Sequence, residues 1–285
     1  MKPSSLVATE IVPLSEHFAR LCRFLYRDST IIEKSGVESN EPYDTQEFWE
    51  IIAEPLRIGG SIESTQVTTE FIEPGGSLMC SQAWDYECAL SDITSLYTLE
   101  MTRFMWAWIA FENLSRRCCS DYEGKGPSGK VIEYLKTKSN NSELKGLAII
   151  YAEAKSLVSD KILQTVTRAA NCTDSSKYHY IHLCREIRNE LFHSHKTCIE
   201  PYFDENDNTT TLEDDPRIIL LKTLSHLTLL SIQTILHAYF RYSDTKTGWL
   251  MTSQGIPNGI KLQRALEVLH LTEQSNVFQG QLDLN

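Results

Sequence analysis

The chain has 285 residues, 41% of them hydrophobic, enough to bury a substantial core in one large domain or one and a half. Its 38 acidic and 27 basic residues leave a net charge of −11, which argues against a protein that coats nucleic acid by neutralising many phosphates. No unbroken apolar run reaches membrane length, the start Met1-Lys2-Pro3-Ser4-Ser5 lacks a signal-type apolar region, and none of the eight cysteines form a Cys-x-x-Cys pair, the usage of free thiols in a cytoplasmic protein that does not enter membranes.

In chain order, Leu14 to Tyr26 has helical periodicity through Phe18, Leu21 and Leu25, with Ser15 as a cap. Thr45 to Ile52 reads as a short helix stopped by Glu54-Pro55. Ile62 to Ile72 is polar and β-branched between Gly59-Gly60 and Pro74-Gly75-Gly76, the pattern of a strand or hairpin appended to a helical body. Trp84 to Arg117 reads as a long helix whose second half, Phe104 to Phe111, is apolar all round and therefore central and buried. Glu112 is the one acid between Glu100 and Asp121 there, and an ionised group in that setting wants a cation.

Gly124 to Lys130 fails the phosphate-loop pattern, because Val131 stands at the Ser/Thr position and no buried strand precedes it; a helix–helix loop accounts for it. Ser142 to Ala170 reads as one long helix, Tyr178 to His195 as another, Thr197 to Pro216 as a polar, acidic loop, Arg217 to Phe240 as an amphipathic helix, and Leu262 to Leu271 as a last helix. The sum is an all-α bundle with a small N-terminal β hairpin, divided into an appendage (1–80), a helical bundle (81–245) and a C-terminal extension packed on it (246–285).

The chemistry lies in the Tyr178–His195 helix. At about 100° per residue, Ile181, Cys184, Ile187 and Leu191 form an apolar stripe, with His182, Arg185, Asn189 and His193 on a neighbouring polar one. Arg188 sits between them, half-buried by position, and needs a carboxylate or phosphate partner; Glu112 is the natural candidate. A histidine titrating near neutrality moves protons, and a guanidinium fork holds a phosphate and the charge that develops on it. The stretch Lys177 to Lys196 carries four basic side chains against two acids, plus four histidines, a small basic groove on an acidic body. His179, His182 and Glu186 share a face but lack a fourth ligand, so neither a metal nor a cofactor is expected.

Arg188-Asn189-Glu190-Leu191-Phe192-His193, with the Trp108 to Leu114 run, resembles the HEPN domain family, in particular its Apea-like and abortive-infection branches. The resemblance spans about Trp84 to His195, with Arg217 to Phe240 completing a bundle. It implies a HEPN-like helical bundle, a homodimer, and a metal-independent endoribonuclease leaving 2′,3′-cyclic phosphate ends, set in antiviral defence or a toxin system with an antitoxin or other regulatory partner. On that reading Arg188, Asn189, His193 and Glu112 are the catalytic set, and Arg185, His182, His195 and Lys196 contact RNA. Two alternatives stay open: a non-catalytic dimerisation or interaction module, and a sensor of a nucleotide phosphate.

Overall fold

The computed structural model describes residues 11–33, 45–68, 81–124, 126–138, 143–172, 176–193, 212–241, 246–247 and 260–272. Among these residues nine helices occur: α1 (Leu14–Glu33), α2 (Thr45–Ser61), α3 (Ser81–Cys118), α4 (Gly126–Lys138), α5 (Leu147–Ser156), α6 (Asp160–Cys172), α7 (His179–His193), α8 (Pro216–Tyr239) and α9 (Leu262–Val268). One two-residue ladder, β1 (Lys246–Thr247) against β2 (Ile260–Lys261), pairs antiparallel just before α9.

Helix α8 is the axle. Asp215 caps its start, accepting from the Arg217 backbone N–H at 2.8 Å, and Pro216 takes the first turn, where its missing N–H costs nothing. It packs against α1, α3, α4, α5, α7 and α9. Leu221, Leu224, Leu227, Leu229, Leu230, Ile232, Ile235 and Leu236 are all buried, so the amphipathic face expected from sequence does not exist. Its small polar residues are buried too. They survive because each hydroxyl donates back to the carbonyl one turn earlier: Thr223 to Ile219 (2.7 Å), Ser225 to Leu221 (2.9 Å), Thr228 to Leu224 (2.8 Å) and Ser231 to Leu227 (2.7 Å). By length and composition α8 also qualifies as a membrane span, which counting unbroken apolar runs missed; 72% of that stretch is buried inside the protein, as in a core helix.

One hydrophobic core runs from Ile11 to Leu269 and takes in every helix among the described residues. Phe18, Leu21, Phe24 and Leu25 of α1 and Ile52, Ala53 and Leu56 of α2 are fully buried in it. The boundary drawn at residue 80 therefore separates no second core. Helix α2 also continues through Pro55, where the sequence reading stopped it. Tertiary packing overrides the proline: Leu56 follows it into the core, and Gly59 and Gly60, expected as a turn, are helical where α1 crosses. A Cβ on Gly60 would lie 2.8 Å from the Phe18 Cβ, so these glycines set the α1–α2 approach.

Residues 62–68 do not form the expected strand arm. They run along α3 instead, with Thr65 Oγ1 donating to the Ser95 carbonyl (2.6 Å) and the Val67 N–H to Ser95 Oγ (2.9 Å). The rest of the expected hairpin lies outside the described residues. The 142–170 helix is broken in two: Gly146, at φ 84°, starts α5, and the Leu157 N–H closes a tight turn on the Ala154 carbonyl (3.2 Å) before α6 begins. Arg20 ties α1 to the turn after α9, donating to the Leu269 (3.0 Å) and Leu271 (2.9 Å) carbonyls.

Between α1, α8 and α9 runs a buried polar chain. His17, Gln233 and His270 have no exposed surface. The Gln233 amide faces the Leu266 carbonyl and, at 2.8 Å, His270 Nδ1, so its Nε2 donates to both. Its Oε1 must then accept from His17 Nε2 (3.1 Å), which leaves His17 Nδ1 to accept from His226 Nδ1 (3.3 Å). At the other end His270 Nε2 donates to the Lys145 carbonyl (2.7 Å). Every ring holds one proton, and an extra proton on His17 Nδ1 or His270 Nδ1 would meet a donor. The charges acting on these rings, Arg20 on α1 and Lys145 before α5, are cationic. Burial first, then the neighbouring His226 and His270 and, last, Arg20, pushes His17 well below the usual range; burial also takes His226 and His270 down to about 4.

Replacing a helical glycine by alanine ordinarily adds about 1 kcal/mol; Gly60→Ala should instead lower the melting temperature, because overpacking against Phe18 costs about 1–3 kcal/mol. A rise in melting temperature would show the contact to be loose. The histidine chain is neutral in the folded state, and the unfolded chain takes up more protons below about pH 6.5. Stability is therefore full above that pH and declines as pH falls toward 4, by about 1.4 kcal/mol per pH unit for each ring. Melting curves from pH 7 to 5.5 should shift down on the order of 10 °C; a flat profile would contradict the assignment.

Candidate functional site

Helix α7 is buried all round in its first half, from Tyr180 to Cys184. Tyr180, Ile181, Leu183, Cys184 and Ile187 are buried, and the helix packs on α4, α6 and α8. Arg188 follows Ile187 at the rim of that buried surface and is 31% exposed. Helix α3 buries Phe104, Ala107, Trp108, Phe111 and Leu114 and packs on α4 and α8 as well. Glu112 follows Phe111 at the corresponding rim, 21% exposed. Sharing two supports brings the two rims together.

Arg188 Nη2 lies 3.8 Å from Glu112 Oε1, and Arg188 Nη1 donates to Asn189 Oδ1 at 3.3 Å. The same Glu112 oxygen accepts from Trp108 Nε1 at 2.7 Å. The other oxygen, Oε2, receives Arg116 Nη2 at 3.4 Å. One carboxylate is thus oriented by a buried indole and shared by two guanidiniums from different helices. Glu112 is thus paired with a guanidinium from its own helix and one from α7.

The sequence reading took Trp108 as core alone and passed over Arg116. Trp108 is indeed buried, but its indole N–H sets the carboxylate. The signal was present: Trp108, Glu112 and Arg116 stand four apart, and such residues are neighbours on a helix surface.

Other expected site residues fall differently. His182, expected to contact RNA, is 1% exposed. Its helix face is covered where α4 packs on α7, and burial, then the charges of Arg185, His179 and Lys136, takes it down to about 4. A buried, neutral imidazole cannot pair with phosphate, so His182 leaves the binding set. Arg185 is half-exposed and holds Glu186 at 2.6 Å rather than joining the cluster. His193 closes α7, four residues from Asn189 and so on its face; its side chain, with His195 and Lys196, lies outside the described residues.

Among the described residues no group of three or more His, Cys, Asp or Glu side chains is arranged to hold a metal ion, the His179–His182–Glu186 face included. Cys22, Cys88, Cys118, Cys119 and Cys184 are free thiols, and burial raises Cys184 to about 12, far from a reactive thiolate. Compared with protein-family models, curated proteins and solved structures, the chain matches none.

Proposed function

We propose that this protein is a metal-independent endoribonuclease whose site is the Arg188–Asn189–His193 stretch of α7, completed by Glu112 of α3. The observation behind this reading is the half-buried Arg188 guanidinium, steered by Glu112 and Asn189 and still open to solvent on one side. Such a group holds a phosphodiester through its non-bridging oxygens and stabilises the charge gathering there. The RNA 2′-oxygen attacks phosphorus and loses its proton, and the 5′-oxygen leaves and gains one. The products are a 2′,3′-cyclic phosphate and a 5′-hydroxyl. His193 serves as the proton-transfer group. One histidine fills one of the two proton roles in a turnover, and a homodimer that juxtaposes two α7 helices supplies the other. Glu112 is a positioning residue, acting through Arg188. By the HEPN resemblance the setting is cytoplasmic defence or a toxin system with a restraining partner. The acidic body limits RNA contact to a short stretch.

A second reading is favoured by the same ion pair, because it joins α3 to α7: the motif would then be a brace in an interaction module. Magnitudes separate the two. Both partners are partly exposed and 3.8 Å apart, a pair worth about 0–1 kcal/mol. Arg188→Ala should therefore melt within a few degrees of wild type while RNA cleavage in EDTA is lost. Equal cleavage by wild type and variant would overturn the proposal, and a large loss of stability with no cleavage by either would select the brace.

A further inference from the structure

The Glu112 carboxylate does more than position Arg188. Its Oε2 holds Arg116, from the last turn of α3, at 3.4 Å, and the Arg116 side chain is 68% exposed. An ion pair so exposed contributes little to stability, so it yields readily to an incoming phosphate, which a guanidinium grips with two parallel N–H donors. Arg188, 31% exposed and tied to Asn189 on its own helix, is the less mobile of the two. The carboxylate itself is held from beneath by the buried Trp108 indole at 2.7 Å, which fixes the point between the two arms. Nearby, Arg185 is paired with Glu186 at 2.6 Å and Lys136 with Glu133 at 2.9 Å. Where Glu112 stands, two cations share one anion.

We propose that Trp108, Glu112, Arg116 and Arg188 form a two-armed clamp for single-stranded RNA, in which Arg188 holds one phosphate and Arg116 swings from Glu112 to hold a neighbouring one. The assignment of RNA as ligand rests on the ribonuclease reading; the two-armed geometry does not. Arg116 touches the backbone away from the bond that breaks, so it binds substrate without taking part in proton transfer.

The test is fluorescence anisotropy with a labelled 2′-O-methyl RNA oligonucleotide, which cannot be cleaved because its nucleophile is blocked. Wild type, Arg116→Gln, Arg188→Gln and Arg57→Gln are titrated across a salt series. Arg57 is exposed and paired with Glu54 on α2, so its loss controls for net charge alone. Arg116→Gln should weaken binding roughly tenfold, the loss of one charge-assisted contact, and reduce the slope of log affinity against log salt by about 0.7. Arg57→Gln should change neither. Affinity and slope equal to wild type in Arg116→Gln, equal losses in Arg57→Gln, or no binding by wild type would each overturn the clamp. Cleavage of unmodified RNA is read separately. Cleavage that survives Arg116→Gln with unchanged KM sinks the clamp and spares the nuclease, whereas Arg116-dependent binding without cleavage does the reverse.

Discussion

The burial of α8 on all sides is the constraint from which the rest of the structure follows. A helix covered on every face must satisfy each of its polar groups from within, and its serines and threonines do so through the carbonyls one turn back. Gln233 cannot reach such a carbonyl, so it bridges His17 and His270 and thereby links α1 to α9. The same burial makes α8 the common support of α3 and α7, whose rims carry Glu112 and Arg188. Without that support the two side chains, 76 positions apart in sequence by their numbering, would have no reason to meet.

What could be read from sequence, and what could not, divides by the range of the interaction. The long α3 and the end of α7 announce themselves through periodicity and length, α8 through its length and apolar content although its expected amphipathic face does not exist, and Glu112 stood out as the lone acid beside an apolar run. Pro55 misled because a local helix breaker is overridden when the following turn is pulled into the core, and Gly59-Gly60 misled because close helix crossing and tight turns select the same residue. The break between α5 and α6 carries no proline and so no strong local sign. His182 looked solvent-facing on a helical wheel, but a wheel cannot show that α4 lies across that face. The polar, β-branched stretch beginning at Ile62 suggested strand pairing, yet the Val67 backbone is satisfied by the Ser95 and Ser91 hydroxyls of α3.

The site is economical in charge. On the proposed reading, an acidic protein acting on RNA cannot rely on a broad basic face, and the place that brings two arginines together is the single carboxylate they share. Trp108 matters here beyond its bulk: its buried N–H gives Glu112 one orientation, and a carboxylate that cannot rotate freely holds each guanidinium in a defined place. The pairs are weak because they are exposed, and under the proposed activity that weakness would let each guanidinium exchange a carboxylate for a phosphate.

The central claim is that α7 carries out RNA cleavage with its own side chains. The most direct measurement incubates a mixed pool of end-labelled tRNA and mRNA with wild type and with His193→Ala, in EDTA, and identifies the new ends. Cleavage by wild type alone, leaving 2′,3′-cyclic phosphates, is the predicted result. Cleavage that EDTA abolishes, or that His193→Ala retains at the wild-type rate, would contradict it.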